Sequence, residues 1–224
     1  MCGRFALFSN IEVIMKYANL IDSNISWSPH YNIAPSMEMP VIINKEGSPV
    51  VTSQKWGFIP DFVYKSKSQV KAFAPINVKS ETIDQKPIFR NSFRKRRCLI
   101  PVNGFYEWRK ADRQPFFIYV KDLPLFFFAG IWNSNRDEKS SEPANFAIIT
   151  TEANEKILPI HNRMPVIIDP EKMNEWLSSE GQDELKNLLI PYPDDYIELY
   201  PVSKAVNYNK NNFEGLIKAF NHLK

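Results

Sequence analysis

The sequence predicts an α+β fold, in which a mostly antiparallel curled sheet or open β-barrel carries helices at its margins. Short runs rich in β-branched and aromatic residues follow one another closely through the middle and second half of the chain. The connections between these runs are short, which favours antiparallel pairing. Helical patterns are confined mainly to two places, one near the N-terminus and one after Asp169.

The first elements follow from local signals. Ser9-Asn10-Ile11-Glu12 has the capping-box pattern, which predicts a short helix over residues 10–19. The β-branched runs at 39–43 and 50–56 lie on either side of Lys45-Glu46-Gly47-Ser48, and this arrangement predicts a hairpin.

The later elements are mostly strands. Asp169 and Pro170 predict the N-cap and first residue of a helix that buries Met173, Trp176 and Leu177. Strands are expected at 98–102, 105–108, 116–120, 126–132, 146–151 and 165–168.

Length and composition indicate one domain over residues 1–224, because 224 residues with 44% hydrophobic content can bury a substantial core. Residues 133–144 are expected to form a polar loop. The Asn/Lys-rich stretch 207–212 is expected to be a loose lead into the terminal segment, so that 207–224 forms a loose tail. A net charge of +3 neither demands nor excludes an anionic partner.

Membrane and metal sites are not expected. The longest apolar run, 123–132, is well short of the roughly 20 residues that span a bilayer, and no signal peptide is recognisable. Cys2 and Cys98 show no metal-ligand spacing, and Cys98 lies in an apolar run typical of a buried thiol. We therefore expect a soluble, cytoplasmic, monomeric protein without a cofactor.

The residue with the most chemical potential is Cys2. Removal of Met1 would leave an α-amine and a thiol on adjacent carbons, with ordinary pKa values of about 7.7–8.0 and 8.5. Such an aminothiol captures aldehydes, since the amine forms a Schiff base and the thiol closes a thiazolidine ring. The thiol could instead serve as an acyl-transfer nucleophile with the amine as its base. Taken by itself, the residue is more simply a cysteine that follows the start codon.

Two further residues are candidates for acid–base chemistry. Strand alternation places Glu107 on the opposite face from Tyr106 and Trp108. In the interior its carboxyl would pair with a cation or have a raised pKa, whereas a solvent-facing glutamate is slightly favoured by the local sequence. His161 lies in a short connector beside Arg163, where it is either a structural histidine or a group that titrates near neutrality.

Basic residues form two groups. A dense patch next to Phe89 and Phe93 is compatible with a solvated helix face, a nuclear-import tag or phosphate binding; it consists of Arg90, Arg94, Lys95, Arg96 and Arg97. The second group is dispersed and comprises Arg4, Lys79 and Arg163, which accompany the candidate catalytic residues in the sequence. This distribution favours a polyanionic substrate.

Six short motifs follow one another in a fixed order along the chain. They are Met-Cys-Gly-Arg-Phe at the start, Tyr31-Asn32-Ile33-Ala34-Pro35, Trp56-Gly57-Phe58-Ile59-Pro60, Asn77-Val78-Lys79-Ser80-Glu81-Thr82, Gly104-Phe105-Tyr106-Glu107-Trp108 and Ile160-His161-Asn162-Arg163. This ordered set resembles the SOS-response-associated peptidase (SRAP) family over essentially the whole chain. The resemblance implies a protein of lyase type that senses abasic sites in single-stranded DNA and shields them as a covalent cross-link. It also implies a cysteine peptidase activity that removes the protein's own first residue.

Site residues carried over by the resemblance divide into two sets. The catalytic set has Cys2 as cross-linking nucleophile, Asn77 positioning the opened sugar, Glu107 as proton shuttle and His161 assisting ring opening. In the DNA-binding set, Pro35 is the wedge at a single-strand/double-strand junction, and Thr150 supplies a hydroxyl near the site. The phosphate-binding residues of this set are Arg4, Lys79 and Arg163. Arg90 of the basic patch is a further DNA-binding candidate. Lys79 stands where arginine is common, so it keeps the charge but loses bidentate geometry.

Two other functions remain open on the sequence. Class II glutamine amidotransferases also begin Met-Cys-Gly and use Cys2 to hydrolyse amides, although their glutaminase domain usually accompanies a synthase domain. A non-catalytic single-strand-binding module would not need Cys2. Glutaminase activity separates the first alternative, and the effect of removing Cys2 separates the second.

Overall fold

The computed structural model describes residues 2–20, 23–60, 63, 74–134 and 143–220. In these residues strands predominate: β1 Phe5–Leu7, β2 His30–Ile33, β3 Glu38–Lys45, β4 Ser48–Trp56, β5 Asn77–Lys79, β6 Arg97–Val102, β7 Gly104–Trp108, β8 Pro115–Val120, β9 Phe126–Asn133, β10 Asn145–Glu152, β11 Arg163–Pro165, β12 Ile167–Ile168 and β13 Ile197–Pro201. The helices are short: α1 Ile11–Tyr17, α2 Pro87–Lys95, α3 Met173–Ser178 and α4 Gln182–Asn187. The α+β prediction is confirmed.

The strands form two sheets. The first has the order β13-β8-β7-β1-β2, and the second has the order β11-β10-β4-β3-β6-β9-β12, with β5 paired to β10. Pairing is antiparallel except where β10 runs parallel to β4 and to β5. Because β9 also pairs with β10, the second sheet curls back on itself. The curled, mostly antiparallel arrangement is the one that the sequence predicts.

Aromatic side chains fill the space between the sheets. Phe5 of β1 is fully buried, with its ring centroid 4.9 Å from that of Trp56 and 6.1 Å from that of Phe128 on the second sheet. Such tilted and edge-on pairs stabilise a core beyond their buried area. The Phe5 side chain therefore anchors β1, the strand that follows Cys2, against the second sheet.

The predicted helices are present, with adjusted ends. Asn10 is the N-cap of α1, since its side chain accepts a hydrogen bond from the backbone N–H of Val13 (3.0 Å). The capping-box pattern that begins at Ser9 therefore places the N-cap one residue too early. The Asp169-Pro170 signal starts a 3₁₀ turn, Pro170–Lys172, that leads into α3. The predicted inward residues of α3, Met173, Trp176 and Leu177, are buried.

The strand predicted over 165–168 divides at Val166. Its N–H donates to Ile149 on β10, whereas its carbonyl accepts from Ala129 on β9 (both 2.9 Å). The chain thus changes partner strands at this residue, which local sequence cannot reveal. The hairpin of β3 and β4 and the other predicted strands occur within one or two residues of their expected bounds.

Arg97 is a structural residue and not part of an exposed basic patch. It is 6% exposed and donates to the carbonyls of Phe93 (2.9 Å), Trp176 (2.6 Å) and Ser179 (2.6 Å). The last carbonyls of a helix lack partners within it, and a cation at that end is favourable. Arg97 therefore satisfies the C-terminal ends of α2 and α3 together.

We expect Arg97→Ala to lower the free energy of unfolding by on the order of 3–5 kcal/mol, because buried carbonyls lose charge-assisted hydrogen bonds. Urea denaturation measures this change. Lys95→Ala is the matched control, since Lys95 is an exposed cation on the same helix, and its effect should stay within about 0.5 kcal/mol. Equal effects of the two substitutions would contradict the structural role of Arg97.

The segment after residue 207 is tied to the first sheet, unlike the loose lead that the sequence predicts. Asn212 accepts a hydrogen bond from the backbone N–H of Tyr31 (2.8 Å), and Leu216 is fully buried. Val202 and Ala219 form a β-bridge. Residues 221–224 of the expected tail and residues 135–142 of the expected polar loop lie outside the described residues.

Among the described residues, no helix has both the length and the apolar composition that a membrane span requires.

Candidate active site

Cys2 lies at the seam between the two sheets. It lies three residues before the start of β1 in the first sheet and is fully buried. Its carbonyl accepts a hydrogen bond from Asn77 Nδ2 (2.7 Å), and Asn77 begins β5 of the second sheet. Its Sγ donates to the carbonyl of Arg4 at 3.8 Å. The candidate nucleophile and Asn77 are thus brought together from opposite sheets.

Glu107 is buried, contrary to the solvent-facing position that its local sequence slightly favours. Phe105 on β7 pairs with Phe5 on β1, and the N–H of Tyr106 donates to Arg4 O (2.9 Å). Strand β7 therefore runs on alongside the residues that precede β1. Glu107 comes next on β7 and is 3% exposed. Burial raises the pKa of Glu107 to about 7, partly offset by the positive charge of the chain's α-amine. A carboxyl with this pKa can give and take a proton near neutral pH.

The Cys2 thiol is held in its neutral form. Burial raises its pKa well above the ordinary range, and the negative charge of Glu107 raises it further. The hydrogen bond that the thiol donates to Arg4 O exists only in this neutral form, since a thiolate has no proton to donate. A group nearby must therefore accept the thiol proton before or during attack, and Glu107 is the titratable side chain whose charge Cys2 senses.

His161 is partly buried and neutral. Burial lowers its pKa, and the charge of the α-amine lowers it further, so the neutral imidazole is favoured. Its Nδ1 lies 3.0 Å from the backbone nitrogen and 3.2 Å from the backbone oxygen of Arg163. Nδ1 accepts from the N–H in the tautomer that carries its proton on Nε2, and it donates to the carbonyl in the other tautomer.

The amide of Asn77 has an unused acceptor. Its Nδ2 is occupied by Cys2 O, while its Oδ1 is buried and has no hydrogen-bond partner among the described residues. A buried acceptor left unpaired is costly, and such atoms are often completed by a ligand. A substrate hydroxyl would satisfy it.

Arg163 lies in the site region but its guanidinium is already paired. It forms a two-pronged ion pair with Glu81, with Nη2–Oε2 at 3.0 Å and a shorter Nη1–Oε1 contact. Nη2 also donates to the backbone carbonyl of Thr150 (2.6 Å) and faces its Oγ1 at 3.4 Å. Thr150 is itself fully buried on β10.

Arg4 is likewise engaged within the protein. Its Nη1 donates to Asn32 Oδ1 (2.7 Å) and to the carbonyl of Val206 (2.8 Å), and its guanidinium lies 6.0 Å from the ring centre of Trp108. Burial lowers the pKa of Arg4. Asn32 in turn donates to carbonyls of the C-terminal segment, including that of Tyr208 (3.1 Å). This pair anchors that segment beside the site.

The remaining DNA-binding candidates are exposed. Lys79 ends β5 and has no ion pair with a described residue. Pro35 is the second residue of a tight turn, in which Met37 N donates to Ala34 O (3.3 Å) and Ser36 has φ +74°. This geometry is that of a type II turn, which favours proline at that position. Arg90 is exposed on α2, and no side-chain hydrogen bond or ion pair joins it to the site within the part of the chain that the structure describes.

Two polar residues that organise the site, Glu81 and Asn32, were not recognised from the sequence as functional. Both lie inside the quoted motifs, at the fifth position of the Asn77–Thr82 motif and the second of the Tyr31–Pro35 motif. Their position in these motifs was the available signal. Among the described residues no group of histidine, cysteine or carboxylate side chains could hold a metal ion.

Comparison with known proteins agrees with this architecture. The chain is 38% identical over 231 residues to the abasic site processing protein YoaM of Bacillus subtilis (strain 168), covering 100% of both chains. It is 28% identical over 228 residues to the abasic site processing protein YedK of Escherichia coli (strain K12), covering 97% of this chain and 99% of the relative. A crystal structure of a protein from Bacteroides thetaiotaomicron, 27% identical, superposes with a TM-score of 0.85 over 98% of this chain and 100% of that one.

The family model described as SOS response associated peptidase (SRAP) matches residues 1–209. With nearly the whole chain matched, the resemblance drawn from the six motifs is confirmed. The protein belongs to the SRAP family.

Proposed function

We propose that this protein recognises abasic sites in single-stranded DNA and binds them covalently through Cys2 once Met1 has been removed. The observation that carries the proposal is the position of Cys2, buried at the sheet seam with its carbonyl on Asn77 and its thiol within the electrostatic reach of Glu107. The names of the relatives, abasic site processing proteins, support the same substrate. DNA is thus the partner, and the protein acts on it as a monomer, including at single-strand/double-strand junctions beside Pro35.

The proposed chemistry balances without a cofactor. The α-amine of Cys2 adds to the aldehyde carbon of the open sugar and gives a carbinolamine. Protonation of its hydroxyl then releases water, and the nitrogen gives up its N–H proton, which leaves a Schiff base. The Cys2 thiol adds to the C=N carbon, and its proton ends on the nitrogen, which closes the thiazolidine. The net reaction joins an aldehyde and an aminothiol with loss of one water molecule.

Glu107 suits the proton transfers of this sequence. With a pKa of about 7 it can exchange a proton near neutral pH, so it can protonate the leaving hydroxyl and accept the proton of the neutral thiol. In the tautomer that carries its proton on Nε2, His161 suits protonation of the sugar ring oxygen during opening. Asn77 Oδ1 is available to a sugar hydroxyl.

The direct test is to mix the Met1-free protein with single-stranded DNA that contains one abasic site. A heat-stable shifted band on a denaturing gel supports the proposal, and an undamaged strand of the same sequence is the control. The absence of a cross-link together with glutamine hydrolysis would instead support the amidotransferase alternative.

Lys79 is expected to contribute one phosphate contact to DNA binding. Because each neutralised phosphate of a single strand adds about 0.7 to the slope of log affinity against log salt, Lys79→Ala should reduce that slope by about 0.7. Fluorescence anisotropy with an undamaged oligonucleotide at several salt concentrations measures it.

The charge-matched control for this measurement is Lys45→Ala, at the β3–β4 turn. It should leave the slope unchanged. If Lys45→Ala and Lys79→Ala change the slope equally, the Lys79 effect comes from net charge alone. Lys79→Arg should tighten binding modestly, because arginine can pair with phosphate through two N–H groups.

A further inference from the structure

Arg163 and Glu81 differ in how firmly each is held. The Arg163 side chain is 11% exposed, and its Nη2 also donates to the Thr150 carbonyl, whereas the Glu81 side chain is 43% exposed. Glu81 lies in a single 3₁₀ turn, Ser80–Thr82. The arginine is therefore the fixed member of the ion pair and the glutamate is the accessible one.

A carboxylate and a phosphate use the same feature of arginine. Both accept two parallel hydrogen bonds from the planar fork of its guanidinium. In the structure both terminal nitrogens of Arg163 face the two oxygens of Glu81. A DNA phosphate cannot take this two-pronged position while Glu81 occupies it.

We propose that Glu81 is a specificity-determining residue, which occupies the phosphate position of Arg163 in the free protein and is displaced when a DNA strand enters. The inference rests on the proposed function, because it takes a DNA strand as the ligand. Glu81 thereby weakens the hold on undamaged strands, whose binding depends on phosphates alone. Capture of a lesion is affected less, since the covalent bond retains it.

The surroundings of Glu81 leave room for this displacement. Its side chain borders an open groove of about 450 Å³ that is also lined by Ser80, Thr151 and Lys186. Lys186 is already paired with Asp84 (2.6 Å), which also lines the groove. Because the groove is open to solvent, a glutamate that leaves Arg163 can stay charged and hydrated.

Glu81 is charged in the free protein. The hydrogen bond from Arg163 lowers its pKa, and the positive charge of Lys79 contributes a smaller effect in the same direction. The ion pair therefore cancels the charge of Arg163 at neutral pH. Replacing the carboxylate by an amide of the same shape restores that charge to the DNA-binding surface.

The test compares Glu81→Gln with Glu152→Gln. Glu152 is the cross-strand partner of Arg163 on β10, is exposed, and has no ion pair with a described residue. Both substitutions remove one negative charge close to Arg163, but only the first opens its fork. Affinity is measured with an undamaged single-stranded oligonucleotide over a range of salt concentrations. Thermal unfolding of each variant verifies folding, and Glu81→Ala provides a second variant with the same expected direction.

We expect Glu81→Gln to tighten binding about three- to tenfold and to steepen the salt slope by about 0.7, whereas Glu152→Gln changes affinity less than twofold. In an Arg163→Ala background the two glutamate substitutions should become equivalent. With abasic DNA, Glu81→Gln should lower the protein concentration that gives half-maximal cross-linking.

Three outcomes would overturn the inference: weaker binding by Glu81→Gln, equal effects of both substitutions, or an advantage that persists without Arg163. A wild-type protein that binds single strands and cross-links abasic DNA while showing one of these outcomes refutes only the role of Glu81. A wild-type protein that neither binds nor cross-links refutes the proposed function itself.

Discussion

Removing the thiol of Cys2 is expected to abolish the stable cross-link to abasic DNA. Met1-processed Cys2→Ala keeps an α-amine and can still form a Schiff base, but it cannot close the thiazolidine ring. It should give no heat-stable band and only a labile imine that borohydride converts into a stable amine. Denaturing gels with and without borohydride measure both species.

Two controls accompany this experiment. Cys98→Ala removes the other buried thiol, on β6, and should cross-link at the wild-type rate. A chain with an N-terminal extension that cannot be removed keeps the Cys2 thiol but lacks its α-amine, and it should form neither the imine nor the stable product. A stable cross-link from Cys2→Ala or from the extended chain would refute the aminothiol mechanism.

Glu107→Gln is expected to slow cross-linking by roughly 10²–10⁴-fold, the usual contribution of general acid–base catalysis. The amide matches the carboxyl in shape but cannot deliver a proton to the leaving hydroxyl. Binding to a strand with a non-reactive abasic analogue should remain as in the wild type, which separates chemistry from affinity. Wild-type rates in this variant would leave Glu107 with a structural role only.

The pH dependence of cross-linking gives a second measurement of Glu107. Its carboxyl is protonated below its pKa of about 7, so the rate should fall as pH rises through that value. The α-amine must be unprotonated to attack, and its ordinary pKa of about 7.7–8.0 makes the rate fall again as pH decreases. The wild-type profile should therefore be bell-shaped, and Glu107→Gln should lose the decline at high pH.

His161→Ala should slow the reaction most on a sugar that is closed into its ring. On an aldehyde substrate that cannot cyclise, the defect should shrink, because no ring oxygen then needs a proton. Stopped time courses with the two substrates measure the difference. Equal defects would remove ring opening from the role of His161.

The sequence by itself determined the parts of this protein that depend on short stretches of chain. Alternating and β-branched runs predicted most of the strands within one or two residues, because the pleat fixes which side chains share a face. Asp169 and Pro170 predicted the start of the helical segment that buries Trp176. The six motifs predicted the family, because they occur in a fixed order and lie in distant parts of the chain.

The tertiary structure alone decided what each charged residue does. In the sequence, Arg97 is part of a basic run. In the fold, the ends of α2 and α3 come together and provide the carbonyls that accept its hydrogen bonds. Glu107 has a raised pKa because it is buried in the folded chain, and strand alternation cannot tell which face of β7 is covered. The charge of Arg163 is cancelled by Glu81, a residue 82 positions away in the sequence. Burial and ion pairing depend on contacts between distant segments, and these contacts exist only in the folded chain.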